Sequence, residues 1–280
     1  MRRLIECTFV AIAAASSAAA DSVALVAIKD NTLIETVDGA LSNGSGPAFF
    51  AGRVGGAGGG SIRRGVLQFD LSGAVPVGST VTSATLTLSA GSSSAGTQTV
   101  ALRRLLASWG EGASFASGGS GAPSQPGDAT WIHRIFPDVF WSTPGGDFST
   151  EASASAEVGG VGVYSWGGTG AMVADVQDWL DDPDANFGWL VQGNESAPQT
   201  VKRFDSREVD EIARRPMLVI EFVPPSPCVL GDLDCNGVVD GADLGALLGA
   251  WGTPDVDADL DGDGIVDGVD VGLLLAAWSA

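Results

Sequence analysis

The chain has 280 residues, with 34 acidic against 14 basic side chains, a net charge of −20, 40 glycines and 13 prolines. Its 45% hydrophobic share is enough for a substantial core, while the glycine and proline content excludes a coiled coil and disfavours an all-helical bundle. The acidic balance excludes a nucleic-acid partner, which would need a basic face.

Residues 1–20 read as a secretory signal peptide. Met1-Arg2-Arg3 supplies the positive start, Ile5 to Ala15 is largely apolar, and Ala18-Ala19-Ala20 is a small-residue cleavage site before Asp21. That apolar stretch is shorter than the roughly 20 residues needed to span a bilayer. The expected location is extracellular or cell-surface associated, with no membrane insertion. In an oxidising compartment the two cysteines of the mature chain, Cys228 and Cys235, are expected to form a disulfide.

Residues 21–222 carry mostly period-two alternation, the signature of half-buried strands. Thr80 to Leu88 places Val81, Ala84, Leu86 and Leu88 between threonines and serines. Val23 to Ile28, Gly65 to Phe69, Thr99 to Leu106, Phe187 to Gln192 and Met217 to Phe222 also read as strands. Met172, Val173, Val176, Trp179 and Leu180 recur at helical spacing between Thr169, a candidate N-cap, and Pro183, a stop. Many strands with one helix predict a β-sandwich of jelly-roll type.

Several segments of this region resemble secreted bacterial domains known for a DNRLRE sequence. Lys29-Asp30-Asn31-Thr32-Leu33-Ile34-Glu35 carries the resemblance first. It continues through Ser42-Asn43-Gly44, Phe49 to Arg53, Arg63 to Leu71 and Gly78 to Leu86. Trp109 to Gly112, Gly127 to Trp131, Thr143 to Phe148, Asn186 to Trp189 and Lys202 to Glu208 extend it over nearly all of 21–222. The resemblance implies a β-sandwich related to carbohydrate-binding modules and appended to polysaccharide-active or surface proteins. It specifies no ligand.

Six tryptophans fall between 109 and 189. Trp179 and Trp189 lie on apolar faces and read as core. Trp109, Trp141 and Trp166 have Gly/Ser-rich surroundings that suit a platform for stacking sugars, with core residence as the alternative. A glycosidase would need two convergent carboxylates. Glu111, Asp128, Asp147, Asp205 and Glu208 are available, but their spacing pairs none of them, and no catalytic residue is assigned. His133 sits in a strand-like run where a structural role is expected. The charges around Arg207 and Glu208 read as structural ion pairs.

Residues 223–230, with Pro224-Pro225-Ser226-Pro227, form a semi-stiff linker. The remaining segment, 231–280, contains eleven aspartates and no Lys, Arg or Glu. It is a direct repeat with a 27-residue offset. Loop positions 1, 3, 5, 9 and 12 are Asp232, Asp234, Asn236, Asp240 and Asp243 in one copy, and Asp259, Asp261, Asp263, Asp267 and Asp270 in the other. Gly237 and Gly264 hold position 6, while Val238 and Ile265 offer backbone carbonyls at position 7. This is EF-hand spacing, and it predicts two Ca²⁺ ions. Each loop runs into a helix with the same apolar spacing, Leu244, Leu247, Leu248 and Trp251, then Val271, Leu274, Leu275 and Trp278.

Two loop-helix units at the C-terminus resemble a type I dockerin, which makes a cohesin-like scaffold protein a candidate partner. Position 12 is Asp, as in dockerins. Positions 10 and 11 are Gly241-Ala242 and Gly268-Val269, where dockerins that dock cohesins often carry hydroxyl or charged residues.

The sequence therefore predicts a mainly β protein, a jelly-roll-like β-sandwich followed by a small α module of two calcium loop-helix repeats. The expected function is secreted, non-catalytic polysaccharide binding or surface attachment, in polysaccharide attachment or degradation. A polysaccharide hydrolase or lyase carrying a dockerin tag, or a structural cell-surface protein, is the alternative.

Overall fold

A computed structural model describes residues 20–56, 60–225 and 228–279. The expected signal peptide lies outside the described residues, apart from Ala20. The chain divides after Pro225 into two compact units. Among the described residues the protein is mainly β, with antiparallel strand pairing throughout and three α-helices.

The larger unit is sandwich-like. One sheet contains β1 (Asp21–Val26), β15 (Met217–Val223), β6 (Thr80–Ala90), β12 (Gly162–Gly167) and β14 (Lys202–Asp205). The other contains β2 (Lys29–Ile34), β5 (Ile62–Gln68), β13 (Trp189–Gln192), β7 (Gln98–Arg104) and β11 (Ala154–Val158). They are joined by β4 (Ala48–Arg53), whose residues Ala48 to Ala51 pair with β14 while Gly52 and Arg53 pair with β5. Gly52 makes that switch with φ +122°. A Cβ there would stand 2.8 Å from the Val201 Cα, so only glycine fits the bend.

The alternating residues Ala84, Leu86 and Leu88 of β6 all point into the core, as the sequence predicts. They meet Leu218 and Ile220 from β15 and, from the other sheet, Leu67, Leu102, Trp189 and Val191. The helix α1 (Gly170–Asp181) closes the core with Met172, Val176, Trp179 and Leu180. Its start is fixed by Thr169, whose hydroxyl accepts the Met172 amide at 3.2 Å.

A second core lies on the other face of β2, β5 and β13. Leu33, Val66 and Leu190 pack there under Leu105, Trp109, Ala129, Trp131 and Trp141. The long connection supplying those residues carries the short strands β8 (Ala122–Pro123), β9 (His133–Ile135) and β10 (Val139–Phe140), and β8 pairs with β3 (Leu41–Ser42).

In the smaller unit, α2 (Gly241–Gly249) and α3 (Gly268–Ala276) each begin with a capping box. Its core is Val239, Leu247, Ala258, Val266 and Leu274. The expected apolar stripes are only partly buried, since Leu248, Trp251, Leu275 and Trp278 are exposed. The expected disulfide, Cys228–Cys235, is present with a Cα–Cα distance of 4.7 Å.

Candidate metal centres

The two acidic loops are built by the same backbone turns. Gly237 and Gly264 take φ +87° and +96°, and position 4 is also left-handed, Cys235 at +58° and Gly262 at +74°. These turns aim amide N–H groups at the carboxylates. Asp232 accepts from Asn236 (3.1 Å) and Gly237 (2.9 Å), and Asp259 accepts from Asp263 (3.2 Å) and Gly264 (2.8 Å). At position 12, Asp243 accepts from Leu233 (2.8 Å) and Asp240 (2.8 Å). Asp270 repeats this with Leu260 (2.7 Å) and Asp267 (2.7 Å).

The same interactions separate the carboxylates electrostatically. The Asp240 amide leads the bonds that hold Asp243 below the ordinary carboxylate value, and the Asp267 amide does so for Asp270. For Asp261 the Asp263 amide also pulls down. Desolvation and the charges of Asp263, Asp270 and Asp259 outweigh it, so that carboxyl stands above its ordinary value. Such crowding of like charge favours a cation.

Carboxylate oxygens of Asp232, Asp234 and Asp243 lie within 4.8 Å of one another, as do those of Asp259, Asp261 and Asp263, and either cluster could hold a metal ion. The donors are oxygen only, which suits a hard cation. Asn236 lies beside the first cluster, with its Nδ2 donating to Asp234 at 3.0 Å. Asp270 lies outside the second cluster but bonds the Asp261 amide at 3.2 Å. Asp240 and Asp267 instead cap their helices through the amides of Ala242 (2.7 Å) and Val269 (2.8 Å). Val238 and Ile265 direct their amides onto Asn236 and Asp263.

The tryptophans expected to stack on sugars are core residues. Trp109, Trp141 and Trp166 are 3%, 5% and 0% exposed. Their indole N–H groups donate to the carbonyls of Phe187 (2.9 Å), Thr130 (2.9 Å) and Val100 (2.7 Å). With both faces covered, none offers a sugar platform. This corrects the sequence expectation, because the segments around Trp109 and Trp141 fold onto a sheet and Trp166 lies within β12, in the core between the sheets.

The acids considered for catalysis have structural partners. Glu111 accepts two bonds from the Arg207 guanidinium (2.6 and 2.7 Å) and one from the Asp30 amide (2.9 Å). Glu208 approaches the same guanidinium at 3.0 Å. Asp128 is buried and bonded to the Gln125 amide, Asp147 to the Ser142 and Thr143 amides, and Asp205 to Arg203 and Arg214. His133 is buried against Phe136 and Phe140, and its Nδ1 pairs with the Thr130 hydroxyl at 2.9 Å. Burial pushes its pKa down.

Sequence reasoning missed two buried charges. Asp30, beside Arg207 and Glu208, has a pKa raised well above 3.8, chiefly by burial and next by the Glu208 charge. Lys202 is fully buried, with Nζ donating to the carbonyls of Ala95 (3.1 Å), Gly96 (2.7 Å) and Gly159 (2.7 Å). Neither shows a local sequence signal, since their partners lie far along the chain.

No known protein-family model matches the chain, and no curated protein matches it either. Among the described residues no helix is long and apolar enough to cross a membrane.

Proposed function

We propose that this protein is a secreted, non-catalytic polysaccharide-binding or surface protein, a jelly-roll-like sandwich joined to a dockerin-like module that binds two Ca²⁺ ions. The observation that carries the calcium reading is the duplication of one amide-to-carboxylate pattern at a 27-residue offset. Asp232, Asp234, Asn236, Asp240, Asp243 and the Val238 carbonyl hold one ion. Asp259, Asp261, Asp263, Asp267, Asp270 and the Ile265 carbonyl hold the other. Each calcium supplies two positive charges, so two ions offset four of the eleven negative charges of this segment. Binding only to the folded form adds about 2.7 kcal/mol per site at a hundredfold excess over the dissociation constant.

The resemblance of segments 29–35 and 202–208 to DNRLRE-type domains supports polysaccharide as the sandwich's partner. The engagement of Glu111, Asp128, Asp205 and Glu208 in ion pairs and amide bonds supports the non-catalytic reading. The disulfide fits an extracellular location. A cohesin-like scaffold is the partner to test for the module.

Calorimetric titration of the mature chain with calcium tests the central claim. Two ions are expected to bind, with Asp232→Ala and Asp259→Ala each removing about one. A stoichiometry of zero in the wild type would overturn it.

A further inference from the structure

The disulfide and the first acidic loop occupy the same stretch of chain. Cys228 and Cys235 are seven residues apart, and the ring they close contains Asp232 and Asp234, loop positions 1 and 3. Cys235 is itself position 4. The second loop has no such tie, since at the 27-residue offset Asp255 stands for Cys228 and Gly262 for Cys235.

The two loops meet one conformational demand in different ways. Position 4 is left-handed in both, at φ +58° for Cys235 and +74° for Gly262. Glycine adopts that region freely, whereas a residue with a β-carbon does so at a cost. The second loop has the glycine, and its entry is held by the Asp255 carboxylate, which accepts the amides of Asp257 (3.1 Å) and Ala258 (3.3 Å). In the first loop a covalent bond stands in for both devices. Inside the ring the Asp232 amide closes a turn on the Val229 carbonyl at 2.9 Å.

The carboxylates differ in step with this. Asp232 is 2% exposed, whereas Asp259 is half-buried. In the first loop the position-12 carboxylate, Asp243, is gathered with Asp232 and Asp234, while in the second Asp270 stands outside the cluster of Asp259, Asp261 and Asp263. The first loop therefore brings ligands from its two ends together. It does so with one carboxylate fewer, because Asn236 stands where the other loop has Asp263.

We propose that the Cys228–Cys235 bond positions the ligands of the first calcium loop, so that this site alone binds more tightly in the oxidised chain than in the reduced one. The inference rests on the calcium reading above, while the place of the bond within the loop is independent of it. A ring that fixes positions 1 to 4 leaves less chain to order on binding, and such pre-organisation raises affinity. Linkage makes the effect mutual. Calcium in the first loop protects the disulfide by the same factor by which the disulfide strengthens calcium binding. Cys228 and Cys235 are both exposed, within reach of a soluble dithiol.

The test uses the mature chain, whose two cysteines are those of this bond. Dithiothreitol supplies two electrons and two protons, leaving two protein thiols and closing to its own cyclic disulfide. Calcium is titrated calorimetrically, with and without dithiothreitol, into wild type, into Asp259→Ala, which keeps the first loop, and into Asp232→Ala, which keeps the second. Reduction should weaken the first loop about tenfold or more and change the second less than about twofold, so wild type loses affinity for one ion of two. Cys228→Ser with Cys235→Ser should reproduce that loss without reductant. Cys228→Ser with Cys235→Gly supplies the glycine that the turn favours without the ring, and should recover only part of it. The reciprocal readout is the thiol fraction at a fixed ratio of reduced to oxidised dithiothreitol, counted by alkylation and mass spectrometry. Saturating calcium should shift it toward the disulfide about tenfold or more in wild type and Asp259→Ala, and by less than about twofold in Asp232→Ala.

Two bound ions whose affinities ignore reduction, or equal weakening of both loops, would overturn the proposal and leave the calcium reading standing. Full recovery in the glycine variant would refute the role of the ring, and a thiol fraction that calcium does not move would refute the coupling. No calcium binding to the oxidised wild type would overturn the calcium reading and this inference with it.

Discussion

Trp166→Ala separates a core tryptophan from a sugar platform. The side chain is fully buried, its ring meets Phe204 edge-on at 6.0 Å, and its indole N–H donates to the Val100 carbonyl at 2.7 Å. Truncation removes a large apolar surface, opens a cavity between the sheets and leaves a buried carbonyl unpaired. Buried tryptophan-to-alanine changes cost about 3–5 kcal/mol. Whole domains are stable by only about 5–15 kcal/mol, so this one change takes a large share. For a unit of this size each kcal/mol moves the melting temperature by about 2–4 °C, which gives a fall of roughly 6–20 °C. Urea unfolding of the mature chain, followed by circular dichroism, reads the same loss as a lower midpoint at unchanged slope. A fall below about 3 °C, accompanied by lost polysaccharide retention, would refute the assignment to the core and restore Trp166 as a surface contact.

Asp30 makes a prediction with a definite sign. Burial and the Glu208 charge raise its folded pKa above the ordinary 3.8, against the pull of the Arg207 amide. The folded state therefore binds the proton more tightly than the unfolded state. The resulting stability is full below that ordinary value and is lost as pH rises through the folded value. Asp30→Asn imitates the protonated form, so it should raise the melting temperature at neutral pH and flatten its decline with rising pH; an unchanged pH profile would contradict the burial argument. The disulfide is tested by alkylating the mature chain without reductant, where labelled thiols would refute the bond. Replacing Cys228 and Cys235 together by serine should cost the C-terminal unit roughly 2 kcal/mol and leave the sandwich's unfolding midpoint unchanged.

What could be read from the sequence depended on whether the relevant partners were local. The alternation of β6, the cap and period of α1 and the two acidic loops are all decided within a few residues, and each is found where the pattern puts it. Strands β11 and β12 went unrecognised because Ala154–Val158 is built mostly of small and polar residues and Gly162–Gly167 is bounded by glycines and leaves Val163 exposed, both being held by their pairing with β7 and β6. In β5 both Val66 and Leu67 are buried, because cores lie on both faces of that sheet, and alternation disappears as it does in any strand covered twice.

The same double coverage explains Trp109 and Trp141, whereas Trp166 belongs to β12 and the core between the sheets. A glycine- and serine-rich neighbourhood marks a loop, but it does not say whether the loop stands off the sheet or lies on it. Trp109 bonds a carbonyl 78 residues away and Trp166 one 66 residues away, contacts that no window along the chain contains. Lys202, tied to carbonyls 43 and more than 100 residues away, follows the same rule. The metal clusters obey the opposite one. In them the acidic spacing, the glycine that turns the loop and the aspartate that starts the helix belong to one short segment, so Asp243 belongs to the first acidic cluster and to its helix's capping box together, while Asp270 closes the second capping box beside its cluster. Local encoding fixes a candidate ion site in the sequence itself, whereas the buried contacts of Trp166 and Lys202 exist only once the strands have met.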